Sequence, residues 1–208
     1  MSKVLYVEAS PLKPRSHTVA VARKFLEAYA MAHRGDEIET LDLWQTQLPP
    51  FDAATIEAKF AVLRRQQFTP EQLERWEAVR AVSRHFNAAD KYVFSVPMWN
   101  FSIPYPLKHY IDVVTLVGEN WTWSREQGYG TLLSGKKALL IYASANLHTQ
   151  WGEDASDFQK PYLRRWLRFI GIDDVREITI SPTLSDPDSV AKTRAAATDE
   201  AVQLATAF

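Results

Sequence analysis

The 208-residue sequence contains no cysteine. That excludes disulfides, thiolate metal sites and cysteine nucleophiles, and it fits a reducing compartment. Glycine is scarce, at seven residues, and no GxGxxG or GxxxxGKS/T run occurs. A dinucleotide fingerprint and a Walker loop therefore have no support. Charge of one sign is missing as well: 24 lysines and arginines face 25 aspartates and glutamates, a formal net charge of -1. That balance argues against a nucleic-acid or membrane-surface partner. No stretch approaches the ~20 apolar residues of a membrane span. The opening run Val4 to Val7 is too short for a signal peptide and is ended by Glu8. The expectation is a soluble, cytoplasmic protein. His33, His85 and His109 fall on separate helical segments and no GxSxG occurs, so neither a metal site nor a nucleophile elbow is expected.

What is present is a regular alternation. With 46% hydrophobic residues the chain can fill one substantial core, and residues 1–208 read as one domain. Val4 to Val7 reads as a buried parallel strand, followed by a polar loop and a helix beginning near His17. Gly35-Asp36 ends that helix, and Ile38 to Leu43 is a second strand. After an irregular, proline-bearing connection with a helical piece near Ile56 to Arg65, Thr69-Pro70-Glu71-Gln72 has a capping threonine, Pro at N1 and Gln at N3. It should start a helix running to about Asn87. Lys91 to Val96 is the third strand, and Pro104 opens a helix over Tyr105 to Leu116. The segment from Gly118 to Gly135 reads as a loop or hairpin. Lys136 to Tyr142 is the fourth strand, Phe158 to Phe169 a helix stopped at Gly171, and Val175 to Ile180 the fifth strand. Asp188 to Ala207 closes the chain, with Ser185 or Asp186 as its cap. The Arg64-Arg65 and Arg164-Arg165 pairs read as solvated helix faces, and Trp151 and Trp166 as core or interface residues.

Five strands alternating with helices imply an α/β parallel sheet covered on both faces. Such sheets bind ligands beyond the carboxyl ends of their strands, so the loops after strands one, three and four should carry the function. The first, Ala9 to Thr18, leads into a helix N-terminus and adds the hydroxyls of Ser10, Ser16 and Thr18, with Lys13 and Arg15 nearby. This suits a phosphate monoester, although Ser16 also suits a plain N-cap. The second runs from the strand into Pro97-Met98-Trp99-Asn100-Phe101. Large side chains at a sheet edge need a flat cover, which a planar ring, a neighbouring loop or a second subunit would each provide. The amide of Asn100 both donates and accepts.

The run Pro97-Met98-Trp99-Asn100-Phe101, followed by Ile103-Pro104, Leu107-Lys108 and Tyr110-Ile111-Asp112, resembles the FMN-dependent NADH-azoreductases, relatives of the quinone reductases. The likeness extends to the Ser10…Ser16-His17-Thr18 loop, to Gly135-Lys136-Lys137-Ala138, and to Tyr162-Leu163…Phe169-Ile170-Gly171-Ile172. It implies a flavodoxin-like fold with a five-stranded parallel sheet of order 2-1-3-4-5. It also implies bound FMN, NADH or NADPH as donor, a homodimer, and quinones or aromatic azo compounds reduced by two-step hydride transfer with no obligatory catalytic side chain.

By that resemblance Ser10, Ser16, His17 and Thr18 hold the FMN phosphate, while Met98, Trp99, Asn100 and Phe101 line the isoalloxazine. His17 stands where the family often has a polar amide. Where the family usually has a serine and two glycines, this chain has Ala143, Ser144, Ala145 and Asn146, so the contact with the flavin's pyrimidine end is expected in an altered loop. His148 would face the acceptor, against the alternative of a solvated loop histidine. Trp121 resembles an aromatic position that covers the flavin from the partner subunit, with Trp123 and Tyr129 extending that wall; plain dimer packing is the competing reading. A flavodoxin-like electron carrier and a non-catalytic binding module are the alternative functions. Such carriers are usually strongly acidic, unlike this near-neutral chain.

Overall fold

A computed structural model describes residues 1–148 and 155–208; Trp151 lies outside the described residues. The chain runs β1 (Lys3–Glu8), α1 (His17–Ala32), β2 (Glu37–Asp42), α2 (Ala53–Leu63), α3 (Pro70–Asn87), β3 (Lys91–Pro97), α4 (Tyr105–Val114), β4 (Trp121–Ser124), β5 (Gly128–Thr131), β6 (Lys137–Ala143), α5 (Gln159–Ile170), β7 (Asp174–Ile180) and α6 (Pro187–Ala205). The main sheet is parallel throughout, in the order β2-β1-β3-β6-β7. That is the expected 2-1-3-4-5 once the small antiparallel hairpin β4-β5 is left out of the count. Among the described residues no helix is long and apolar enough to cross a membrane.

Strand side chains alternate between two cores, as the pleat requires. Val4 and Tyr6 of β1, Val93 of β3 and Leu139 and Ile141 of β6 pack under α1 and α6, against Phe25, Tyr29 and Ala201. Leu5, Val7, Phe94 and Leu140 face the other way, toward α3, α4 and α5, where Phe86, Tyr110 and Trp166 fill the space. Helix α2 does not touch the sheet core; its Ala58 packs on Trp76 and Val79 of α3. Trp166 is therefore core, as one of its two expected readings had it.

Several helix ends are set by side chains that the sequence announces. Thr69 and Gln72 form the reciprocal capping box, and Asp186, one of the two expected caps, accepts from Ser189 N at 2.9 Å. Asp52 caps α2, which starts at Ala53, three residues ahead of the expected Ile56. Helix α4 stops at Val114, two residues short of the expected Leu116. The reason is Asn120, which is fully buried: its Nδ2 donates to Val114 O at 2.6 Å and its Oδ1 accepts from Leu116 N at 3.1 Å. A buried amide thus takes over two groups that further helix would have bonded.

Gly171 ends α5 in the left-handed region, with φ 96°. A Cβ there would lie 2.1 Å from the Leu133 carbonyl oxygen, so the segment between β5 and β6 can pass α5 only because no side chain is present. Gly171→Ala should lower the unfolding free energy by roughly 2 kcal/mol or more. Denaturant titration checks this, and an unchanged midpoint would mean that the turn relaxes freely.

Candidate functional site

The carboxyl ends of β1, β3 and β6 bring the three expected loops together. Beyond β1, Ser10 is buried and its Oγ accepts from Leu12 N at 3.4 Å. A short 3-10 turn over Lys13–Arg15 follows. Ser16 then caps α1, its Oγ accepting from Val19 N at 3.5 Å and lying 3.1 Å from the buried Thr18 Oγ1. The backbone amides of His17 and Thr18 find no acceptor among the described residues, as expected in a first helical turn. His17 Nδ1 is also buried without a partner there. Burial pushes the His17 imidazole below its ordinary pKa, with the positive charge of Arg194 a second cause, so the ring is neutral near pH 7.

Lys13, expected to add positive charge near the loop, is held by two carboxylates. Its charge does not stand free beside the loop: Nζ donates to Glu8 Oε1 at 2.8 Å and to Asp42 Oδ1 at 2.5 Å. Burial pulls its pKa down, but the hydrogen bonds to Asp42 and Glu8 outweigh that and raise it. Arg15 is exposed and makes no ion pair among the described residues.

Beyond β3 the backbone doubles back. Trp99 N donates to Ser102 O and Ser102 N to Trp99 O, both at 2.9 Å. Between them Asn100 and Phe101 are both left-handed, at φ 47° and 69°. Two successive left-handed residues make the tight turn that normally takes Asn-Gly. Asparagine tolerates it; phenylalanine, with its Cβ, stores strain on the order of 1 kcal/mol or more. Phe101 is nevertheless 53% exposed, so core packing does not explain it. Trp99 is backed by Trp44 and Tyr105, with ring centroids 5.6 and 6.5 Å away.

Beyond β6, Met98 N donates to Ala143 O at 2.7 Å, tying this loop to the last. Neither Ala145 nor Asn146 is left-handed, so the loop reaches its shape without the conformations that glycines would supply. It is held instead by the segment after β7. Thr183 N donates to Ser144 O and Ala145 O, and Leu184 N to Ala145 O. The Ser144 and Ser181 hydroxyls both donate to Asn146 O, at 2.8 and 2.9 Å. The amides of Ala145 and Asn146 have no acceptor among the described residues.

Together these loops enclose a cleft of about 320 Å³ lined by Ser10, Ser16, His17, Met98, Trp99, Ala143, Ser144 and Ala145, with Pro11, Leu12, Pro97 and Thr183. Thr18 lies just behind it, and Asn100, Phe101 and Asn146 stand beside it without lining it. His148 meets the Phe101 ring edge-on at 5.9 Å, and its Nδ1 is 3.0 Å from Ser156 Oγ. Trp121 is not brought to the cleft. It is buried, packed on Tyr129 and Phe169. Thr183 and Trp44 were missed because they follow strands that the switch-point rule leaves out. The aromatic placed two residues after β2 was the only signal for Trp44. A hollow of about 470 Å³ also exists, but it sits at the amino ends of β6 and β7, lined by Lys136, Lys137 and Asp174. That is the wrong end of a parallel sheet for a ligand.

A family described as having a flavodoxin-like fold matches residues 2–205. Over 205 residues the chain is 41% identical to an FMN-dependent NADH:quinone oxidoreductase of Desulfotalea psychrophila, covering 99% of this chain and 97% of that one. It is 39% identical to FMN-dependent NADH:quinone oxidoreductase 9 of Burkholderia lata, with all of both chains covered. An azoreductase structure from Bacillus anthracis superposes with a TM-score of 0.89 at 28% identity over the whole of both chains. An FMN-dependent NADH-azoreductase from the same species, solved with FMN, gives 0.84 at 27% identity over 99% and 98% of the two chains.

If the exposed Phe101 serves a ligand and not the fold, Phe101→Gly should raise the unfolding free energy of the ligand-free protein by about 1 kcal/mol through relief of the left-handed strain. Chemical denaturation reads this, and a loss of stability would return Phe101 to a packing role.

Proposed function

The chain belongs to the FMN-dependent NADH:quinone oxidoreductase and azoreductase family, and we propose that its cleft between Ser10, Met98 and Ser144 is the FMN site of such an enzyme. We read residues 1–208 as one catalytic domain. The donor is NADH, and the acceptors are quinones and aromatic azo compounds. When bound, FMN supplies the hydride chemistry, taking two electrons from the nicotinamide and passing them to the acceptor.

The observation that carries this reading is one cleft lined both by a helix N-terminus, at Ser16 and His17, and by Met98 and Trp99, with the strained Asn100–Phe101 turn beside it. At one end the amides of His17 and Thr18, which have no acceptor among the described residues, and the hydroxyls of Ser10, Ser16 and Thr18 form a donor set for a phosphate, with the buried His17 Nδ1 beside them. At the other, Met98, Trp99, Asn100 and Phe101 offer a flat apolar shelf with a mixed polar edge. The amides of Ala145 and Asn146, without an acceptor among the described residues and beside Ala143 and Ser144, are placed to stabilise negative charge developing at the ring's pyrimidine end.

His148 is held at the rim by Ser156 and Phe101, and its other nitrogen, without a partner among the described residues, would hydrogen-bond an acceptor. Trp121, buried away from the cleft in its own chain, would reach substrate only across a homodimer, as the partner's contribution.

Steady-state oxidation of NADH and NADPH by the FMN-loaded protein, with a panel of quinones and an azo dye, tests the activity. Turnover with parallel double-reciprocal lines is expected, because donor and acceptor occupy the cavity in turn. Absence of turnover with every acceptor would leave an electron carrier or a binding module. Replacing Ser16 and Thr18 together by alanine should weaken FMN binding at least about tenfold, since hydrogen bonds to a charged group contribute roughly 1.5–3 kcal/mol each. Flavin fluorescence titration measures it, and unchanged affinity would place the phosphate elsewhere.

A further inference from the structure

Lys13 lies in the loop that the FMN reading assigns to the phosphate, yet its ammonium points to two carboxylates of the sheet. Glu8 and Asp42 are the last residues of β1 and β2 and stand opposite each other in register. Glu8 is 4% exposed, and its second oxygen takes a long hydrogen bond, 3.4 Å, from Tyr6 OH. Asp42 Oδ1 also accepts from Trp44 N at 3.0 Å. Lys13 bridges the pair. To do so its backbone turns left-handed, φ 53°, and in that conformation its carbonyl accepts from Ser16 N at 2.9 Å. The same residue therefore fixes the start of α1 and offsets one of the two carboxylate charges next to it.

We propose that Lys13 is a positioning residue for the phosphate: held between Glu8 and Asp42, it offsets one of their two negative charges beside the turn from Ser10 to Ser16, without touching the anion itself. Two carboxylates under an anion site would repel a phosphate dianion across a short, partly buried distance, where screening is weak. Binding the ammonium between them leaves the helix N-terminus and the hydroxyls as the groups that the phosphate meets. The argument rests on the FMN reading above. It adds that a cation within the phosphate loop acts through the sheet and not through the ligand.

The experiment titrates the full-length chain, freed of flavin, with FMN and with riboflavin, following flavin fluorescence. The parent protein should bind FMN more tightly than riboflavin. If it does not, the phosphate reading fails, and this inference falls with it. If it does, Lys13→Met should weaken FMN binding about tenfold or more while changing riboflavin binding much less. Lys13→Arg, still able to bridge both carboxylates, should keep most of the FMN affinity. The deciding variant is Lys13→Met combined with Glu8→Gln and Asp42→Asn. Because the repelling charges are gone, FMN affinity should return to within a few-fold of the parent. A triple variant as weak as Lys13→Met alone would show that Lys13 does not act by offsetting these charges and would overturn the proposal. So would a Lys13→Met protein that binds FMN as the parent does.

Discussion

β1 is paired on both sides, with β2 at one edge and β3 at the other, and the position of every loop described above follows from that fork. A strand that starts in the middle of a parallel sheet sends its next connection to one side and a later one to the other, so the two diverge and leave a crevice. The hydrogen bonds that continue the pairing past the strand ends set the crevice's width. Ala9 N donates to Ser95 O, and Met98 N to Ala143 O. Without the first, the serine loop would lift from β3; without the second, the Met98–Phe101 turn would lose its footing on β6.

Within that crevice the chain makes little use of glycine. The helix N-terminus presents its amides by capping, through Ser16, and not through a glycine-rich loop. The Asn100–Phe101 turn takes up left-handed geometry with a phenylalanine, and the strain is tolerated because the reciprocal Trp99–Ser102 bonds fix both ends. Among its described residues the third loop has no left-handed position, and it leans on Ser181, Thr183 and Leu184. Rigidity here comes from hydrogen bonds between neighbouring loops, which hold unpaired amides in place ahead of any ligand. Such preorganisation lowers the ordering cost of binding.

Much of this was legible in the sequence, for identifiable reasons. Strand and helix order followed from apolar alternation, and helix starts from local caps such as Thr69-Pro70-Glu71-Gln72, because the interactions involved span only a few residues. The serine loop and the Met98–Phe101 run were legible because parallel topology dictates which loops meet. What was not legible depends on distant partners. Lys13 reads as a free cation until Asp42, 29 positions on, is seen to hold it. Asn120 shortens α4 through the buried carbonyl of Val114, six residues back, against a pattern that favours continued helix. Thr183 reaches the cleft only because the segment after β7 bonds to Ser144 and Ala145.

The central claim is that one cleft, closed by the loops after β1, β3 and β6, holds FMN with its phosphate at the start of α1. The crystal structure of the FMN complex tests it most directly. The account predicts the phosphate among Ser10, Ser16, His17 and Thr18, and the isoalloxazine over Met98 to Phe101 with one edge toward Ala145 and Asn146. A flavin bound in the reverse sense, or seated elsewhere on the molecule, would contradict it.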